Sequence, residues 1–191
     1  MKALIFSDSH GNYSVMERII KASPDADCVI FAGDGIRDIE LLATQYPEKT
    51  FFSVSGNCDY GISPFGFARD TELTFFLEGK KIFLTHGHSF GVKYSLNTLF
   101  AKAQRDEIDI VIFGHTHTPY EEYNSEERPF YFFNPGSIGR AIAMQSGVSL
   151  PNGNPPKAEL ARLREALSGT QNPNLEEAMS IVNQYKKKNG I

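Results

Sequence analysis

All five histidines of the 191-residue chain, at positions 10, 86, 88, 115 and 117, fall in short polar segments, four of them as alternating pairs in Thr85-His86-Gly87-His88 and Gly114-His115-Thr116-His117. Acidic and amide residues occupy similar segments: Asp8 and His10 in Asp8-Ser9-His10-Gly11-Asn12, Asp34 between Gly33 and Gly35, and Asn57 with Asp59 in Gly56-Asn57-Cys58-Asp59. Alternate imidazoles have the spacing of metal ligands and offer little to an apolar core. Oxygen donors mixed with neutral imidazoles suit Mn, Fe, Co, Ni or Zn, whereas an all-oxygen set would point to Mg or Ca. A carboxylate such as Asp34 can bridge two ions, and the Asn57 carbonyl adds a neutral ligand. Two ions about 3.5–4 Å apart acidify a water held between them and clamp the attacking and leaving oxygens of an in-line displacement. Two carboxylates and two divalent ions sum to about +2, which attracts phosphate. The chemistry these residues suit is phosphate-ester hydrolysis.

Singly, each residue has a plainer reading. Asp8 could cap a helix, Asp34 and Asn57 could be turn residues, and Cys58 could be a small packed side chain. Their joint placement points to a site, because each group follows an apolar run. Ala3–Phe6, 28–32 (CVIFA), 51–54 and 108–113 read as buried strands, and 71–77 with 81–85 as a hairpin turning at Glu78-Gly79-Lys80. Tyr13, Met16, Ile19 and Ile20 recur at helical spacing before Pro24, as do Ile36, Ile39, Leu42 and Ala43 before Pro47 and Leu96, Leu99, Phe100 and Ala103 later. Strand, loop and helix three times over predict a parallel sheet, and ligands bind outside the carboxyl ends of such strands. Hairpins at 71–85 and 120–133 predict a second sheet packed against the first with helices outside. Phe51, Phe52, Phe75, Phe76, Phe130, Phe132 and Phe133 are expected to fill the layer between them.

Composition sets the outer bounds. The chain suits one domain with a sizeable core. A net charge of −4 gives no basic face for long nucleic acid. Two cysteines exclude a disulfide framework and suit a reducing compartment. The opening MKALIFSDSHGN does not read as a signal peptide, and no apolar run is long enough for a membrane span. A soluble cytoplasmic protein without membrane partners is expected. Before Lys157 there are 13 basic and 19 acidic residues, and from there on 6 and 4, so the acidic part holds the motifs.

The motifs DSHGN at 8–12, GDG at 33–35, GNCD at 56–59, THGH at 85–88, GHTH at 114–117 and NPGS at 134–137 resemble those of the calcineurin-like metallophosphoesterase superfamily, in family order. Short length and GNCD are similar to its small YfcE-type bacterial and archaeal phosphodiesterases. The resemblance implies a four-layer α/β/β/α sandwich, the metallo-dependent phosphatase fold. It also implies two divalent transition-metal ions, Mn2+ foremost and Ni2+, Fe2+, Co2+ or Zn2+ in its place. Carried over by motif, Asp8, His10 and His117 hold one ion, Asn57, His86 and His115 hold the other, and Asp34 bridges. Asn57 would also orient the phosphate. The expected reaction is hydrolysis of a small phosphodiester or activated phosphomonoester by a metal-bridging water or hydroxide.

Two departures bear on mechanism. Many superfamily members carry His after Gly-Asn, where this chain has Cys58, a poor acid at neutral pH. Leaving-group protonation could then fall to Asp59, to His88 or to a metal-bound water. Relatives also continue beyond NPGS into further strands, whereas residues 151–191 here read as a helical extension packed on the 1–150 metallophosphoesterase domain, a segment that could serve homo-oligomerisation. A binding module on the same fold and a nuclease for short oligonucleotides are the alternative readings. Arg37, Arg69, Lys93 and Arg140 lie in or near the relevant loops and could meet substrate.

Overall fold

Short apolar and aromatic runs, nearly continuous at 28–31, 110–112 and 130–133, form eight strands in two sheets among the described residues. The computed structural model describes residues 1–61, 69–124 and 129–139. The expected loop segment 62–68, Arg140, the 151–191 extension and its helical patterns lie outside the described residues. Strands β1 (Ala3–Phe6), β2 (Cys28–Phe31) and β3 (Thr50–Ser53) form a parallel sheet in the order β1-β2-β3. Helices α1 (Tyr13–Ala22) and α2 (Ile36–Gln45) provide the crossovers. The second sheet runs β4-β5-β6-β8-β7, built from β4 (Glu72–Leu77), β5 (Lys80–Thr85), β6 (Ile110–Ile112), β7 (Tyr120–Asn124) and β8 (Phe130–Asn134). It is mixed: β5, β6 and β8 are parallel, with antiparallel β4 and β7 at the edges. Helix α3 (Asn97–Arg105) links β5 to β6.

Alternation along β2 shows how the layers form. Cys28, Ile30 and Ala32 face Ile82, Leu84, Ile110 and Ile112 of the other sheet, while Val29 and Phe31 face Met16, Ile20, Ile39 and Leu42 of α1 and α2. On the far side, Phe83, Val111 and Phe132 pack beneath Leu99 and Ala103 of α3. The order of layers is therefore α/β/β/α, as the resemblance implies. Each large side chain in these clusters contributes about 1.5–3 kcal/mol relative to an exposed position.

The phenylalanines divide differently from expectation. Phe52, Phe75 and Phe133 line the layer between the sheets, and the Phe52 and Phe75 rings stack 3.9 Å apart across it. Phe51 packs on the helix side of the first sheet, Phe130 and Phe132 lie under α3, and Phe76 is 70% exposed. Period-two alternation is the reason, because neighbouring residues on a strand face opposite ways. The β4–β5 hairpin also turns more tightly than expected: Glu78 and Gly79 both have positive φ, and Lys80 already pairs with Leu77. Two central residues at positive φ suit the twist of an antiparallel pair.

Candidate metal centre

The chain leaves β1, β2, β3, β5 and β6 on one edge of the sandwich, and each exit delivers residues to the same place. Its main chain there is unusual. Seven non-glycine residues among those described have positive φ, and five of them are Asp8 (54°), His10 (46°), Asp34 (60°), His115 (66°) and His117 (59°). Non-glycine residues held in this region cost roughly 1–3 kcal/mol each, and persist where the surroundings over-determine them. Here the strained turns aim consecutive loops inward.

The donor atoms converge. His117 Nε2 lies 3.0 Å from Asp8 Oδ1, a buried oxygen without a hydrogen bond, and 3.4 Å from His10 Nε2. Asp34 Oδ2 lies 4.0 Å from His10 Nε2 and 3.4 Å from His86 Nε2. His86 Nε2 is 3.2 Å from both Asn57 Oδ1 and His115 Nδ1. Donors about 2.1 Å from a common ion stand roughly 3.0–3.4 Å apart at octahedral or tetrahedral angles. The close separations fit that spacing. Asp8, His10, Asp34 and His117 together offer ligand atoms within 4.8 Å of one another.

Other groups fix these side chains. His86 Nδ1–H donates to the Ala32 carbonyl at 2.7 Å, so Nε2 is the ring nitrogen that faces Asp34. Ser7 donates to Asp8 Oδ2, and the His115 N–H reaches the same oxygen at 3.2 Å, so Oδ1 is the atom turned toward His117. The Cys58 N–H holds Asp34 Oδ1 at 2.7 Å. A side chain at Gly56 would put Cβ 2.1 Å from Asp34 Oδ1, and one at Gly114 would put it 1.9 Å from Ser7 Oγ. Both glycines are space for a carboxylate and its support.

Electrostatics follow from burial and these bonds. Burial raises the Asp8 carboxyl despite Ser7, His86 and His117. At Asp34 burial is outweighed by the bonds from His86 and the Cys58 amide, which hold it well below the usual carboxylate range. Burial lowers His86, but the Asp34 carboxylate and the Ala32 carbonyl outweigh it and the imidazole is raised. Burial, then His86, Lys93 and His88, lower His115 to about 4, so it is a neutral donor at physiological pH.

The remaining candidates divide. His88 sits in a short 3-10 turn (His88–Phe90) with its ring 5.5 Å from His86 and 6.1 Å from His115. Asp59 lies beneath the cluster, with both oxygens accepting main-chain N–H bonds from Asp34, Gly35, Ile36 and Gly56. Cys58 is exposed, and partial desolvation together with the neighbouring Asp34 carboxylate raises its pKa. Arg69 points to buried Glu40, 3.8 Å away, and Arg37 is exposed on α2. Sequence reasoning missed Ser7, Asp38, whose carboxylate accepts from Ser9 Oγ and the Gly11 N–H, and Asn134, whose amide donates to the Gly114 carbonyl and Thr116. Asn134 opens the NPGS motif, which was the available signal.

Residues 1–150 match the calcineurin-like phosphoesterase superfamily domain. The chain is 34% identical over 140 residues to a probable metallophosphoesterase, YsnB, of Bacillus subtilis, covering 72% of this chain and 75% of the relative. It is 30% identical over 163 residues to the phosphodiesterase YfcE of Escherichia coli, covering 72% and 79%. Among solved structures it is similar to a protein of Streptococcus pneumoniae described as a predicted phosphoesterase, with a TM-score of 0.58, 28% identity and coverage of 80% and 76%.

Proposed function

This chain belongs to the calcineurin-like phosphoesterase superfamily, and from that premise we propose that it is a dinuclear metal-dependent phosphodiesterase. In this reading Asp8, His10 and His117 hold one ion, Asn57, His86 and His115 hold the second, and Asp34 is shared. When bound, the two ions, Mn2+ foremost, with Ni2+, Fe2+, Co2+ or Zn2+ as substitutes, supply Lewis acidity toward phosphate oxygens and lower the pKa of water at the site. The observation that carries the reading is the position of Asp34 Oδ2 between His86 Nε2 at 3.4 Å and His10 Nε2 at 4.0 Å.

The protein's own groups hold this arrangement. The Ala32 carbonyl keeps His86 in the tautomer that presents Nε2. Asn57 offers Oδ1 toward His86 and donates one amide N–H to Cys58 Sγ at 3.3 Å, and its other amide N–H would meet a phosphate oxygen. The Cys58 thiol, with its raised pKa, is a weak proton donor, which favours substrates whose leaving group departs as a stable anion. Small phosphodiesters and activated phosphomonoesters fit that restriction. The excess of acid over base before Lys157 disfavours long nucleic acid. Two free cysteines suit a cytoplasmic setting, and among the described residues no helix is long and apolar enough to cross a membrane.

The test is reconstitution. Metal-stripped protein given Mn2+ is expected to bind two equivalents and to recover hydrolysis of bis(p-nitrophenyl) phosphate. Recovery with one equivalent would contradict the dinuclear reading, and hydrolysis unaffected by stripping would contradict metal dependence.

A further inference from the structure

The Asp59 carboxylate accepts four main-chain N–H bonds from two different loops. Oδ2 accepts those of Asp34 and Gly56, each at 2.8 Å. Oδ1 accepts those of Gly35 at 2.8 Å and Ile36 at 2.9 Å. Ile36 opens α2, so the same carboxylate caps that helix from another segment, at the end where the helix dipole favours negative charge. Amide bonds to an ionised acceptor are roughly twice as strong as neutral ones.

The contact is reciprocal. Asp59 grips the Asp34 main chain, and the Cys58 N–H returns from the Asp59 loop to Asp34 Oδ1 at 2.7 Å. The position of Asp34 Oδ2 is thereby fixed from both ends. A Cβ on Gly33 would lie 2.8 Å from the Gly56 nitrogen, so the two loops meet at a distance only glycine permits.

The geometry points to Asp59 as the positioning residue of the centre: it locks the loop after β2 to the loop after β3 and so sets the separation of Asp34 from Asn57. This rests on the reading of those two residues as metal ligands. A proton-donating role is a poor fit, because four N–H donors already occupy the two oxygens.

Asp59→Asn keeps the size of the side chain but sets an NH2 group against two N–H donors. Mn2+ titrated calorimetrically into metal-stripped wild type and variant, with kcat against pH at saturating Mn2+ for bis(p-nitrophenyl) phosphate, tests the proposal. The expected result is about 10–100-fold weaker Mn2+ binding by the variant, with both limbs of the pH profile retained. Unchanged Mn2+ affinity overturns the proposal. So does loss of one limb with affinity intact, which would make Asp59 a proton donor. Absence of Mn2+ binding by the wild type would instead overturn the metal reading itself. Should the variant fail to fold, hydrogen exchange of the wild type decides. The amides of Asp34, Gly35, Ile36 and Gly56 are expected to be protected as a set and slowed further by Mn2+, and rapid exchange at Asp34 and Gly56 overturns the proposal.

Discussion

The main-chain N–H of Cys58 sits 2.7 Å from Oδ1 of Asp34, and this bond turns the other carboxylate oxygen toward His86. The approach is close because Gly56 has no side chain, and a Cβ there would lie 2.1 Å from Asp34 Oδ1. Gly56→Ala is therefore expected to displace the carboxylate. Metal affinity should fall by about 10–100-fold, and overpacking should cost about 1–3 kcal/mol of stability. Calorimetric titration with Mn2+ and thermal melts of the metal-free protein check the two effects separately.

In the proposed reading, protons and metal compete for the same atoms. Burial raises the pKa of Asp8, and His86 is raised because its bonds to Asp34 and Ala32 outweigh burial. Groups with a raised folded-state pKa contribute stability below their unfolded values and lose it as pH rises through the folded ones. Asp34, held low, acts in the opposite sense: its contribution is present above its unfolded value and is lost only in strong acid. Metal-free protein should thus lose the Asp8 contribution as pH rises above the ordinary carboxylate range and the His86 contribution as pH rises above the ordinary imidazole value, and metal competes best on the alkaline side of both. The rise in Tm on adding Mn2+ is expected to be larger at pH 8 than at pH 6, and an equal rise at both would contradict the assignment of these ligands.

The two thiols should differ. Cys28 is 1% exposed in the layer between the sheets, and burial pushes its pKa up to about 11. Cys58 is exposed. A disulfide reagent such as dithionitrobenzoate is expected to titrate one thiol in the native protein and two in denaturant. Two fast thiols in the native state would contradict the packing of β2.

Leaving-group dependence reads out the position after Asn57. A thiol with a raised pKa gives little help to a departing alkoxide. Across a series of aryl and alkyl phosphodiesters, kcat/KM is expected to fall steeply as leaving-group pKa rises. A flat series would show that an efficient proton donor serves the site.

Much of this arrangement is legible in the residues. The apolar runs at 3–6 and 28–32 end at the polar groups of the site, because a parallel strand buried on both faces must be nearly all apolar and its ligands must wait for the loop. The alternating histidines mark two further strand ends for the same reason. The division of the phenylalanines was less legible, since runs such as Phe51-Phe52 and Phe132-Phe133 show that both faces are apolar without showing which face meets the other sheet. The positive φ of Asp8, His10, Asp34, His115 and His117 was not legible, because these are ordinary residue types and tertiary contacts hold them there. Nor was the engagement of Asp59, whose partners are main-chain amides and leave no mark on residue identity.

The central claim is that the carboxylate of Asp34 and the histidines around it form a metal-dependent phosphoesterase centre. The most direct measurement is turnover of bis(p-nitrophenyl) phosphate against added Mn2+, for metal-stripped wild type and Asp34→Asn in parallel. The account predicts no turnover without metal, saturable recovery in the wild type, and at least about 100-fold lower activity in Asp34→Asn at every Mn2+ concentration. Turnover independent of Mn2+, or an Asp34→Asn variant as active as the wild type, would contradict it.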